Sequence, residues 1–304
     1  MTVAETKPFW ETNLIYQVII GSQAYGLSID DSDLDMCGVC IPPRRHLLGM
    51  ASFEQYVEHT PEQDTVIYAL VKFVRLALKC NPNIIEALYT APEYVVFVND
   101  YGQQLREQRH LFLTKKAGQT FSGYAISQLR RMERHHRWLV DPPDHRPTPE
   151  EFGGRATEGR FKFPDHDAER AYRSALKHWN HYQNWRRNRN PERAELERRY
   201  GYDTKHAMHL LRLLRMGMEI LESGEVHVYR PDREWLRAVR EGALAYQEVL
   251  ALASEYEARL AALEKMSSLP EEPDREQAEE LVMALQERFL WEIRGSDVVR
   301  RTRR

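Results

Sequence analysis

The stretch GSQAYGLSIDDSDLDMCGV, residues 21–39, holds the side chains best suited to chemistry. Asp33 and Asp35 stand two apart in a segment that reads as a strand. Both carboxylates then leave the same face, while Leu34 and Met36 turn into the core. Two such anions about 5 Å apart repel by roughly 3 kcal/mol at an effective dielectric near 20. The pair therefore calls for a shared proton or a cation. A hard divalent ion suits it, and Mg2+ (or Mn2+) bridges naturally from carboxylates to substrate phosphates. Gly21-Ser22 lies upstream, directly after another strand-like run. A glycine there lets the backbone approach a ligand, and amides plus the Ser22 hydroxyl can hold phosphate oxygens. Phosphate cradle and acid pair together suit in-line phosphoryl or nucleotidyl transfer. The segment Ile29-Asp30-Asp31-Ser32-Asp33 also reads as a turn. An EF-hand does not fit, because its glycine position is Met36 and its closing acid is Pro42.

The elements that must position these groups form a mixed α/β pattern up to about residue 100. LIYQVII, residues 14–20, reads as a buried strand, with a short helical piece after it through Ala24, Tyr25 and Leu27. A second strand covers 33–41 and stops at Pro42-Pro43. A third is expected within 51–59, with a turn around 61–64. TVIYALVKFVRLALK, residues 65–79, shows helical spacing, and Asn81-Pro82 is expected to end that helix. Residues 83–89 read as a further strand. Beyond residue 100 the pattern is mostly helical: 125–140, 167–189, 191–200, 203–223, 231–268 and 273–294, with a short extended piece at 226–228. Asp203 and Gly224 act as caps. Five prolines and three glycines in 141–165 mark a loop-rich stretch. The expected organisation is a catalytic domain over 1–110 and a helical region over 111–304 for triphosphate and acceptor binding.

The chain has 304 residues, 42% hydrophobic and 29% charged, which excludes a disordered or fibrous class. No apolar run reaches the ~20 residues that cross a bilayer, and the opening MTVAETKPFWETN is not expected to act as a secretion signal. Three cysteines make no disulfide framework, so a cytoplasmic protein is expected. Cys37 and Cys40 form a CxxC, but on a strand their sulfurs face opposite sides, so they read as buried thiols. The net charge of −3 divides into −7 for residues 1–100, +8 for 101–224 and −4 for 225–304. The basic middle suggests an anionic partner beside an acidic site.

Gly21-Ser22-x-Ala24-Tyr25-Gly26-Leu27, Ser32-Asp33-x-Asp35, Asn81-Pro82 followed by Glu86, and GYDTKHAMHLLRLLRMGMEIL at 201–221 together resemble one group of sequences. These are the predicted nucleotidyltransferases of the DNA polymerase β superfamily associated with RNA ligases and RNA repair. The resemblance covers most of residues 14–250. It implies an α+β fold: a polymerase β-like mixed sheet with helices, followed by a mostly helical C-terminal region. It also implies a divalent metal and transfer of a nucleoside monophosphate from an NTP to an acceptor hydroxyl. An RNA end is the expected acceptor and an RNA ligase or repair protein a possible partner; protein or small-molecule acceptors, and a non-catalytic nucleotide- or RNA-binding module, stand as alternatives. Superfamily members add a third carboxylate flanked by apolar residues on a later strand. Ile85-Glu86-Ala87 matches that pattern best, with Asp64 and Glu58 as competitors, so Asp33, Asp35 and Glu86 are the expected catalytic and metal-binding set.

On the helix expected over 203–223, Lys205, His209 and Arg212 form a polar stripe at i, i+4 and i+7. With His206 beside it, and given the resemblance, the stripe suits a triphosphate or pyrophosphate. His206 and His209 lack cysteine or carboxylate ligands at a familiar metal spacing and are not read as metal ligands. Residues 177–215 carry 10 Lys/Arg against 4 Asp/Glu, interleaved with Trp179, Tyr182, Trp185, Tyr200 and Tyr202. Aromatic faces among guanidinium groups suit single-stranded RNA, and helix packing explains the same spacing equally well. Arg186, Arg187 and Arg189 are the candidate RNA contacts, with Arg230 and Arg233 weaker ones.

Overall fold

A computed structural model describes residues 7–29, 33–60, 62–157 and 160–301 of the chain. Asp30, Asp31 and Ser32, read as part of a turn, lie outside the described residues, as do Thr302 to Arg304 of the basic C-terminal end. In order, the elements are α1 (Phe9–Thr12), β1 (Leu14–Ile20), α2 (Gly21–Ala24), β2 (Leu34–Cys40), α3 (Arg44–Leu47), β3 (Gln55–His59), β4 (Gln63–Ala69), α4 (Leu70–Ala77), α5 (Pro82–Tyr89), β5 (Val95–Val98) and α6 (Asp100–Glu107). There follow α7 (Lys116–Val140), β6 (Arg155–Thr157), β7 (Arg160–Lys162), α8 (His166–Arg187), α9 (Pro191–Tyr200), α10 (Thr204–Ser223), α11 (Arg233–Arg240), α12 (Tyr246–Met266) and α13 (Arg275–Arg301).

The main sheet has five strands in the order β3-β4-β2-β1-β5. The β2–β4 pair is parallel, and β1–β2, β1–β5 and β3–β4 are antiparallel. This is the expected mixed α+β architecture. Tyr16 and Val18 of β1 and Cys37 and Val39 of β2 share one face and are buried. The core continues into Leu70, Phe73 and Val74 of α4 and Ile84, Ile85 and Leu88 of α5. The Tyr16 hydroxyl donates to the Ala87 carbonyl at 2.6 Å, tying the central strand to α5.

Two segments depart from the sequence reading. Residues 65–69 were expected to open a helix but complete β4, whose Val66, Ile67 and Tyr68 suit a pleated surface better than a helix. Residues 83–89 were expected as a strand but form α5. The Asn81 side chain accepts from the Asn83 amide at 3.1 Å and Pro82 occupies the first turn, so the pair expected to stop one helix starts the next. The helix expected over 231–268 is broken into α11 and α12 around Gly242, whose φ is +83°. Residues 226–228 are not a strand.

The chain resolves into two compact units. One contains the sheet and comprises 1–126, 210–237 and 251–304; the other comprises 127–209 and 238–250. In the second unit, Trp138 of α7 packs against Tyr182 and Trp185 of α8, with ring centroids 5.9 and 5.2 Å away. Among the described residues, no helix is long and apolar enough to cross a membrane.

Candidate active site

The acid pair meets the phosphate-loop glycine directly. Ile20, the last residue of β1, is registered with Asp35 on β2. Gly21 follows with φ +71°, and a Cβ placed on it would lie 2.2 Å from Asp35 Oδ2. Only glycine leaves room for that carboxylate while turning the chain into α2. Asp33 is exposed, immediately before β2. On the other side, β4 runs parallel to β2 with Asp64 opposite Asp35. Adjacent strands lie about 4.8 Å apart and registered neighbours share a face, so Asp64 stands beside Asp35 on the sheet. Its Oδ1 is 2.8 Å from His59 Nδ1 on β3. Glu58 is registered with Thr65 and so belongs to the opposite face.

Glu86 occupies a different environment from the strand position expected of it. It sits on α5 at 1% exposure, with Oε1 accepting from Arg212 Nη1 at 2.6 Å and Oε2 accepting from the Tyr25 hydroxyl. The Arg212 guanidinium also stacks over the Tyr25 ring, 3.8 Å from its centroid. Burial pushes the Tyr25 phenol well above its ordinary pKa, partly opposed by Arg212. The ion pair with Glu86 holds Arg212 charged despite the burial that opposes it. Both Glu86 oxygens are engaged, so the trio clamps the Gly21–Leu27 turn. A second anchor lies behind it. The Arg230 amide donates to the Tyr25 carbonyl at 3.1 Å and Arg237 Nη2 to the Gly26 carbonyl at 2.7 Å. Arg230 is fully buried and paired with Glu219 and Asp232, a structural position and not an RNA contact.

With this geometry in view, residues 2–284 match the model of the RNA repair pathway DNA polymerase beta family. The chain belongs to that family. It is accordingly a polymerase β-like nucleotidyltransferase of an RNA repair pathway. One solved structure, described as a nucleotidyltransferase-like protein from Exiguobacterium sibiricum, aligns over 84% of this chain and 69% of its own, with 14% identity and a TM-score of 0.26. No curated protein matches the chain.

The remaining expected site residues of this RNA-repair family member lie on the helices. Lys205 and His209 are half-buried on α10, and His206 is buried. Arg212, expected on the same stripe, points to Glu86 as described. Arg186 and Arg187 are exposed in the last turn of α8. Arg189 instead donates through Nε to Glu197 at 2.7 Å and covers the Trp185 ring at 4.7 Å. The aromatic residues between them pack on one another: Trp179, Tyr182 and Trp185 form a chain of contacts about Tyr182, 6.0 and 5.9 Å between centroids. The sulfurs of Cys37 and Cys40 are both buried, and burial pushes each thiol up to about 12.

In the sequence Asp64 and Glu58 compete with Glu86 for the place of the third acid. The signal that could have raised Asp64 was local. An acid heading the alternating run Asp64-Thr65-Val66-Ile67-Tyr68 marks the mouth of a strand, whereas Glu86 follows a proline-capped helix start.

Proposed function

We propose that this nucleotidyltransferase moves a nucleoside monophosphate from an NTP to a hydroxyl at an RNA end, using a divalent cation held by Asp33, Asp35 and Asp64. The observation that carries the reading is the register of Asp35 with Asp64 beside Gly21. The donors are carboxylate oxygens, the set that Mg2+ or Mn2+ prefers, and the missing Gly21 side chain lets the Asp35 carboxylate lie against the backbone of the turn. When bound, such a cation neutralises phosphate charge and makes the acceptor hydroxyl more acidic. The protein's own groups have separate tasks. The amides at Gly21-Ser22 and the Ser22 hydroxyl bind phosphate oxygens of the NTP. The Tyr25–Glu86–Arg212 trio holds that turn against α5 and α10, which fixes the phosphate relative to the acids. The acceptor oxygen bonds to the α-phosphorus as the bond to pyrophosphate breaks. Glu86 is assigned here to positioning, and Asp64 takes the third-acid role. Lys205 and His209 remain proposed triphosphate contacts on the sequence resemblance alone, and Arg186 and Arg187 remain proposed RNA contacts on their exposure.

The test is incubation of the full chain with each α-labelled NTP, Mg2+ or Mn2+, and RNAs differing in their 5′ and 3′ ends. Label is expected on RNA with wild type and is expected to be lost with Asp35→Asn or Asp64→Asn. Label on protein alone, or undiminished transfer by Asp64→Asn, would overturn this reading.

A further inference from the structure

We propose that His135, Asp203 and His206 form a transition-metal site of the zinc class in the helical unit. This goes beyond the nucleotidyl-transfer reading and does not rest on it. His135 comes from α7, Asp203 caps α10, and His206 lies in the first turn of α10. One ligand atom from each side chain lies within 4.8 Å of the other two. Asp203 is 1% and His206 5% exposed. Asp203 Oδ1 accepts the His206 amide at 3.0 Å, which fixes both side chains on the same side of the helix start. The other oxygen, Oδ2, has no hydrogen-bond partner, nor have the Nδ1 atoms of His206 and His135, and all three are buried. A buried orphan of this kind costs about 1–3 kcal/mol, and Asp203 Oδ2 is the one that faces a histidine nitrogen, 3.5 Å from His206 Nε2.

The donor set defines the ion. Two imidazoles and one carboxylate favour Zn2+ and similar first-row ions over Mg2+. Bonds of about 2.0–2.1 Å bring tetrahedral ligands within roughly 3.4 Å of one another, so the three side chains close slightly around an ion. Arg193 is the natural competitor. Its Nη1 is 3.2 Å from His206 Nε2 and 3.6 Å from Asp203 Oδ2, and its side chain is one-third exposed and free to withdraw toward solvent. Glu197, 1% exposed and 3.5 Å from His135 Nδ1, offers a further carboxylate to orient that ring or to complete the shell. The bound ion would pin α7 to the start of α10.

The experiment uses the full chain, stripped with chelator and titrated with Zn2+ by calorimetry and with Co2+ by visible absorption. One tight equivalent, tetrahedral Co2+ bands and a raised melting temperature are expected. His135→Ala and His206→Ala should each lose that equivalent, while Asp33→Asn/Asp35→Asn keeps it. Arg193→Ala retains every ligand and removes the competing cation, so it should tighten binding by about 10-fold or more, the scale of neighbour effects at metal sites. It answers the question even if the histidine variants fold poorly. No tight equivalent in either wild type or Arg193→Ala, or binding undiminished in the histidine variants, would overturn the site.

Discussion

At the scale of single residues, two carboxylates that look interchangeable in the sequence are separated by their surroundings. Asp64 is half-exposed at the mouth of a strand, 2.8 Å from His59 and in register with Asp35. Glu86 and Arg212 are 2% and 5% exposed at the side chain and neutralise each other. Replacing Asp64 by Asn should lower transfer by about 100-fold or more, roughly 2.7 kcal/mol of barrier, with little change in the urea midpoint. Replacing Glu86 by Gln should cost about 3–5 kcal/mol of stability, because it strands a buried guanidinium. Parallel urea titrations and transfer assays separate the two; equal loss of stability in both variants would refute the division. The thiols give a second residue-scale expectation. Cys37 and Cys40 move from 9 to about 12 on burial, so their contribution to stability is complete below pH 9 and is lost as pH rises toward 12. Native protein at pH 8 should not react with a thiol reagent, whereas all three cysteines should react in denaturant, and rapid native labelling would contradict the buried placement.

At the scale of elements, the acid strand and most helices were legible because their signals are local. The alternation around Asp33 and Asp35 gives β2, the cap at Asp203 gives the start of α10, and the prolines of 141–165 give the break after α7. What was not legible depended on partners. The run 65–79 satisfies helical spacing, yet its first half is claimed by the edges of β2 and β3, which only the folded sheet supplies. The place of Asp64 beside Asp35 was hidden in the same way, since a residue just ahead of a helix has no strand neighbour to face. The end of α8 shows the reverse case, in which one basic cluster divides by contact. Arg186→Ala/Arg187→Ala should weaken RNA binding similarly for all sequences and reduce the salt slope by about 2, one for each phosphate contact. Arg189→Ala should instead lower thermal stability, because it leaves Glu197 buried without its guanidinium. Fluorescence titration of labelled RNA at several salt concentrations, beside thermal melts, tells them apart.

At the scale of the molecule, the catalytic sheet is completed by chain that arrives late in the sequence. Residues 210–237 and 251–304 belong to the same compact unit as the strands. Arg212 supplies the counter-ion for Glu86, and Arg230 and Arg237 hold the backbone of Tyr25 and Gly26. Leu210, Leu211, Leu213 and Leu214 add apolar cover, all at 4% exposure or less. A fragment of residues 1–110 would lose every one of these. The stranded Glu86 alone would cost about 3–5 kcal/mol, and whole domains are stable by only about 5–15 kcal/mol. That fragment should therefore show no sharp thermal transition and should bind a dye for exposed apolar surface, whereas the full chain melts cooperatively. A fragment that unfolds cooperatively would mean that the sheet carries its own stability. The turn at Gly21–Leu27 would then need no anchor from α10, and the positioning role given to Arg212 would fall with it.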